Sequence, residues 1–470
     1  MTGGLPGWRT THSMIPLTTL ASAALLTLGA QVPPPPASGA PGGLRPAPDA
    51  LEELLEEAAA CNPAIAEAER AAESASARIP QAGALPDPVL GLAFMNVPIA
   101  DPSLGREMMT MTTVRLDERF PFPGKRTLKT EVAAALARSA ERRVESTRAR
   151  VLEQVKQVYY RIWFLDRALG ITQKNEALLG DFTHLTATKY GVGGGAQPDV
   201  MKAQVERTRL TERSVALREA RTAAVAQLNA LLDRPTGTPL QRAELPGPIR
   251  SAATARVKGL TFASASLSDL TPGAAHVRPA PGIPTLEELQ RLAMAHNPRL
   301  SESRQRIEAQ KAAVALSRKA VLPDIHVSLG YSRRSGFADF VSLAVSAPLP
   351  VFAARKQRQR TREEISTLAR READLSGAAN RVMREVSTLV ASLSRTRDQL
   401  MILGDGILPQ ARSALSSATA SYRVGRVDFL TLIDAQVTLY RHELDYHRLL
   451  ADFAGNVASL ERVVGTEILP

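Results

Sequence analysis

The sequence predicts a mainly α-helical protein with a small β part, organised as an internal two-fold repeat, and three observations carry that reading. Aromatics are only 4% of the 470 residues, while Ala, Leu, Arg, Glu, Gln and Ser fill long stretches, a composition typical of coiled coils. The chain repeats its landmarks in the same order. Each repeat also carries two short runs of alternating polarity, the pattern of a strand with one apolar face.

The N-terminus holds Arg9 and His12, an apolar segment from Met14 to Ala30, and then a Pro/Gly/Ala-rich stretch. We read residues 1–30 as a signal peptide and 31–50 as a flexible lead-in. The apolar core is short and diluted by Thr and Ser, which argues against a transmembrane anchor. Cys61 is the only cysteine, so no internal disulfide can form, and its helical context predicts a small core residue. The net charge is +11, yet Lys and Arg lie among nearly as many acids. That predicts a solvated, mildly basic helical surface and no nucleic-acid partner.

The repeat is explicit. Leu51-Glu52-Glu53-Leu54 returns as Leu286-Glu287-Glu288-Leu289, and Asn62-Pro63 as Asn297-Pro298. Leu85-Pro86-Asp87 returns as Leu322-Pro323-Asp324, and Pro121-Phe122-Pro123 as Pro348-Leu349-Pro350. Tyr190-Gly191-Val192-Gly193 returns as Tyr422-Arg423-Val424-Gly425, and Ala203-Gln204-Val205 as Ala435-Gln436-Val437. The first repeat spans 51–233 and the second 285–465, with a linker at 234–284 and a C-terminal tail at 466–470. The linker is rich in Pro, Gly, Ala and Ser, with a small ordered insert expected around Leu260 to Leu270. Each repeat reads as a helix, two strands, a very long helix, a tight turn and a returning helix.

The strands are expected at Pro88 to Val97, Met108 to Glu118, Ile325 to Arg333 and Phe340 to Pro348. Their length suits tilted membrane-crossing strands. A soluble sheet packed on helices would fit one pair equally well; two matching pairs in an exported chain favour a barrel. The mature sequence contains no apolar run of about eighteen residues, so a membrane-spanning part must be a barrel. Four strands cannot close one, since the smallest have about eight, and several subunits must share it. From Lys125 to Lys189 there is no proline, and one helix of that length runs roughly 100 Å. Coiled-coil spacing runs through Val144, Val151, Val155, Val158, Ile162, Leu165 and Leu169. It returns from Ile365 to Ile407 and again from Leu432 to Val464, and Pro409 predicts a kink.

With these landmarks in hand, the chain resembles the TolC-like outer-membrane efflux family from about Asp49 to Gly465. The duplicated Asn-Pro, Leu-Pro-Asp and Tyr-x-Val-Gly motifs and the turn Phe120-Pro121-Phe122-Pro123-Gly124-Lys125-Arg126 carry the resemblance. It implies a homotrimer in which four strands per chain build a twelve-stranded outer-membrane β-barrel, continued by a long periplasmic α-helical tunnel. The implied partners are a periplasmic adaptor and an inner-membrane pump, of RND type. The turn and the Met-rich hairpin are similar to members that serve heavy-metal pumps. A periplasmic adaptor or a coiled-coil scaffold is the alternative; neither accounts for two copies of helix, strands and helix.

Candidate sites follow. Pro123, Gly124, Lys125 and Arg126 form the strand-to-helix turn; the two cations either meet lipid phosphates of the outer membrane or are solvated helix-start charges. Val192 and Gly193, with Val424 and Gly425, are the tunnel tips that dock the adaptor. The resemblance implies a periplasmic gate at Tyr422 and Asp434, although Asp434 also reads as an ordinary helix-start acid. Family members often supply an Arg where Val427 stands, and Arg423 or Arg426 is the available substitute. Met95, Met108, Met109 and Met111 read as lipid-facing or loop-packing side chains, with a soft-metal role as the second possibility. His442 and His447 read as helix-surface or seam residues. No phosphate loop, nucleophile elbow or metal spacing is present, so neither an enzyme nor a cofactor is expected.

Overall fold

The computed structural model describes residues 51–99, 102–104, 107–193, 196–255 and 282–469. The export segment, the lead-in, Gly194, Gly195 and the insert expected near Leu260 lie outside the described residues. Among the described residues, no helix is long and apolar enough to cross a membrane.

Each repeat opens with two helices where one was expected: α1 (Leu51–Cys61) and α2 (Pro63–Gly83), then α6 (Leu286–His296) and α7 (Pro298–Lys319). A residue before proline is pushed out of the α region, and Asn62 and Asn297 accordingly take ψ of 124° and 118°. Each Asn caps the following helix, accepting from Ala64 N at 2.9 Å or Leu300 N at 3.0 Å, a contact type worth about 1 kcal/mol. Each amide then donates across the fold, to the carbonyls of Leu231 and Val463, both at 2.7 Å. The duplicated dipeptide therefore makes a duplicated contact. Leu54 and Leu289, equivalent in the repeat, are both fully buried.

The four strands β1 (Val89–Met95), β2 (Met111–Phe120), β3 (Ile325–Arg333) and β4 (Phe340–Ser346) form one antiparallel sheet in the order β1-β2-β3-β4. The β2–β3 pairing joins the two repeats, and β1 and β4 are the open edges. Directly paired residues share a face, so the register places Leu90, Leu116, Leu329 and Leu343 in one row. Leu92, Val114, Tyr331 and Val341 form the next. The opposite face carries Gly91, Arg115, Gly330 and Ser342, then Val89, Asp117, Ser328 and Ala344. On that face the hydroxyls of Thr113 and Ser332 lie 2.8 Å apart. The apolar rows are exposed to the surroundings of the chain. Met95 pairs with Met111 on the polar face, sharing the parity of Thr113 and Arg115 and not that of the apolar rows. Met108 and Met109 are exposed in the connecting loop.

The helical body comprises α3 (Lys125–Gly191), α4 (Gln197–Leu231), α5 (Gly247–Thr254), α8 (Gln357–Met401), α9 (Leu408–Arg423) and α10 (Phe429–Val464). The 67 residues of α3 extend roughly 100 Å at about 1.5 Å each. Val151, Val155, Val158, Ile162 and Leu165 of its seam are buried, as are Val382, Val386, Leu393 and Leu400 of α8 and Leu450, Phe453, Val457, Leu460 and Val464 of α10. Ile365 is exposed: α7 lies along this part of α8, with Gln310 donating to Glu364, and Ile365 faces away from it. A π-helical turn, Ile402–Ile407, precedes α9 and puts Pro409 in its first turn. The wider turn accommodates the missing N–H and the ring of Pro409.

Two expectations are corrected here. Cys61 is exposed: the helical period places it on the face of Leu54 and Ala58, but it is the last residue of α1, where the chain turns away into Asn62-Pro63. The linker and tail are more ordered than their composition suggested: Ile249, Ala252 and Ala253 of α5, together with Ile468, join the main core.

His447 of α10 packs edge-on to Trp163, with ring centroids 5.7 Å apart, and to Tyr446 at 5.5 Å. Burial, reinforced by the charge of Arg167, lowers its pKa from 6.5 to about 4. The unfolded chain therefore binds this proton first, and the stability that the neutral ring contributes is full above pH 6.5 and falls away as pH drops towards about 4. Replacing His447 with Gln should flatten thermal stability over that window in circular dichroism melts; an unchanged pH slope would contradict the assignment.

Candidate functional site at the helix tips and the strand-to-helix junction

The chain must swing from β2 into α3 within a few residues. Gly124 supplies the turn with φ of +83° at the N-cap of α3, a conformation that costs glycine little. A Cβ there would also collide with Lys319 Nζ. The junction is organised by Asp324, immediately before β3. One carboxylate oxygen accepts from Arg119 Nη2 at 2.6 Å; the other accepts from Lys125 Nζ at 2.7 Å and from the Phe122 backbone N–H at 3.1 Å. Burial on its own would raise this carboxyl; the bonds from Lys125, Phe122 and Arg119 outweigh it and hold Asp324 well below the usual carboxylate range.

Lys125 is thus internal. Its side chain is 12% exposed, and its ammonium also donates to the Leu322 carbonyl at 2.5 Å. This departs from both readings of Lys125, the contact to lipid phosphates and the solvated helix-start charge: a carboxylate from the second repeat takes up the charge. Arg126 is exposed, with its guanidinium donating to the Gly83 carbonyl at 2.8 and 2.6 Å, which ties α2 to the start of α3.

At the far end of the helices, α3 turns into α4 and α9 into α10 by the same geometry. Gly193 and Gly425 have φ of +78° and +74°, with open space where a Cβ would be. Their N–H groups donate to the carbonyls of Tyr190 and Tyr422 at 3.0 and 3.1 Å. Val192 and Val424 are 79% and 70% exposed, so each tip presents one apolar side chain outward. The two tyrosines differ: Tyr190 is exposed, whereas Tyr422 is 4% exposed. Its ring lies 5.6 Å from Phe429 and receives the Lys189 ammonium 4.2 Å from its centroid, and Lys189 also donates to the Tyr422 carbonyl. Lys189 therefore joins the two tips, a role that nothing in its local sequence signals.

Asp434 lies on an exposed position of α10, five residues past Phe429 and so about 8 Å along the helix. Asp428 is the capping acid of α10, accepting from Thr431 N at 2.9 Å, which leaves Asp434 free of that duty. Among the described residues no hydrogen bond or ion pair joins Tyr422 to Asp434, and neither Arg423 nor Arg426 pairs with Asp434. Among the described residues, no group of three His, Cys, Asp or Glu side chains could hold a metal ion.

A family model for outer membrane efflux proteins matches residues 54–234 and 289–466. The chain is 24% identical over 433 residues to the cobalt-zinc-cadmium resistance protein CzcC of Cupriavidus metallidurans, covering 89% of this chain and 90% of that protein. Its structure resembles the outer membrane protein VceC of Vibrio cholerae, with a TM-score of 0.70, 17% identity and coverage of 89% and 96%. It also resembles the channel CusC, with a TM-score of 0.71, 15% identity and coverage of 88% and 92%.

The junction makes a direct prediction. Lys125→Met leaves the Asp324 carboxylate short of one cation, and loss of one partner of a largely buried pair should cost on the order of 3 kcal/mol. Because the folded carboxyl is depressed from 3.8, its contribution is full above about pH 4 and is lost as pH falls further. Melts of the variant at pH 7 should show a lower midpoint, and the difference from the unchanged protein should shrink at the acid end. Equal midpoints at pH 7 would contradict the latch.

Proposed function

The chain belongs to the outer membrane efflux protein family, and from that premise we propose that three copies share one twelve-stranded barrel and one helical tunnel, through which cargo leaves the cell. The observation that carries this reading is the sheet: four strands with an exposed apolar face and two open edges, joined to helices roughly 100 Å long. The apolar rows face the outer membrane and the polar face lines the pore. A periplasmic adaptor or a coiled-coil scaffold would have no use for an exposed apolar sheet.

The tips meet the partners. Val192-Gly193 and Val424-Gly425 point away from the barrel, are apolar and exposed, and repeat within each chain, so a trimer offers six similar contacts to the helical ends of a periplasmic adaptor. An inner-membrane pump, of RND type, loads the tunnel. The cargo is heavy-metal ions; the likeness to a cobalt-zinc-cadmium resistance protein supports this. Transport requires no chemistry from the channel, in keeping with a family and fold of channel proteins.

The gate is at the same end. Asp434 supplies an exposed carboxylate, and three copies in a ring would draw cations towards the entrance. Tyr422 acts from inside the protomer, holding the second-repeat tip against Lys189.

Deleting the gene should lower the cadmium, zinc or cobalt concentration at which the cells stop growing, with restoration by the unchanged chain and not by Gly193→Trp combined with Gly425→Trp. Restoration by the double variant would count against tip docking. In planar bilayers Asp434→Ala should weaken cation preference, and Tyr422→Ala should raise single-channel conductance. Wild-type values for both would remove these residues from the gate.

A further inference from the structure

The two repeats meet along a seam inside the chain. There β2 pairs with β3, α7 lies along α3, and Asp324 of the second repeat is held by Arg119, Lys125 and the Phe122 N–H of the first. A two-fold repeat has a second seam, equivalent to the first, and within one chain it is open. Its halves are the edge strand β1 with α2, and the edge strand β4 with the barrel-side part of α8.

Both open halves carry the counterparts of the latch. Asp87 is the first-repeat copy of Asp324 and stands two residues before β1, as exposed as Asp324 is buried. It has no hydrogen bond or ion pair among the described residues. On the other side, Pro348-Leu349-Pro350 copies Pro121-Phe122-Pro123. The turn is longer here: Lys125 opens α3 two residues after Pro123, whereas Arg355 and Lys356 precede α8 five and six residues after Pro350. Arg355 and Lys356 are exposed, and their side chains likewise have no partner among the described residues. One seam therefore has a satisfied anion and cation, and the other has the same charges apart.

We propose that Asp87 of each copy is the latch between protomers, taken up by the Arg355-Lys356 pair of the neighbouring copy when its β4 pairs with β1. The inference rests on the trimeric reading above and adds which residues fasten one copy to the next. It also explains the exposed Ile365 on α8: α2 of the neighbour covers it, as α7 covers α3 within the chain. The junction then repeats six times around the barrel base, three times within chains and three times between them.

Site-directed crosslinking tests it in outer membranes, with Cys61→Ser removing the native thiol. Asp87→Cys paired with Arg355→Cys, or with Lys356→Cys, should give covalent dimers and trimers with a short bismaleimide, and each single cysteine should give none. Asp87→Arg should lose the detergent-resistant trimer at temperatures where the unchanged protein keeps it, and Asp87→Arg with Arg355→Glu and Lys356→Glu should regain it. A trimeric unchanged protein with no crosslink from either cysteine pair, or full resistance in Asp87→Arg, would overturn the latch and leave the trimer standing. Monomers from amine crosslinking of the unchanged protein would overturn the trimeric reading and the latch with it.

Discussion

Lipid offers no partner to the N–H and C=O groups of an open strand edge, and each such group left unpaired costs several kcal/mol. The sheet of this chain ends in two such edges, β1 and β4, so the fold is incomplete until another copy closes it. Much else follows from that requirement. The repeat gives each chain two equivalent seams, one satisfied internally by β2 and β3 and one left for a neighbour. The helices of the two repeats inherit the same symmetry, which is why Asn62 and Asn297 make matching contacts, to the carbonyls of Leu231 and Val463.

The two ends of the long helices solve different problems. At the barrel base the backbone must change direction beside the membrane, and a carboxylate with three donors fixes that change while glycine permits it. Asp324 and Lys125 satisfy one another and are largely withdrawn from the surroundings, while Arg119 stays partly exposed. At the tips the polar lock gives way to exposed valines followed by glycines of positive φ, with space around both glycines. The proposed docking of a partner rests on these exposed valines. The Lys189 contact to Tyr422 holds the two tips of one chain together while leaving their outer faces free.

Periodicity and repetition made most of the architecture legible in the sequence. Ile325–Arg333 forms the strand that its alternation predicted, and α3 runs from Lys125 to Gly191 where the absence of proline predicted Lys125 to Lys189. Strand β2 starts and ends later than expected, at Met111 and Phe120, because pairing with β3 up to Ile325 decides its end. What escaped the sequence was long-range. Lys125 looked like an interfacial cation because its partner lies 199 positions away, and only the fold brings it near. The hydrophobic residues of α5 are few and set among prolines and glycines, so no period marked them. The parity of Met95 was hidden until the register was known. Tyr422 and Asp434 were legible as residues of the tip through the duplicated motif, but their separate environments, one inside and one exposed, depend on how α9 and α10 pack.

The account stands or falls on shared closure of the barrel. The most direct measurement is native mass spectrometry of the protein released intact from outer membranes in mild detergent, with an electron cryo-microscopy reconstruction of the same particles. The account predicts a mass of three chains and a three-fold particle with twelve strands in its membrane belt. A stable single chain, or a symmetric assembly whose membrane belt contains no strands, would contradict it.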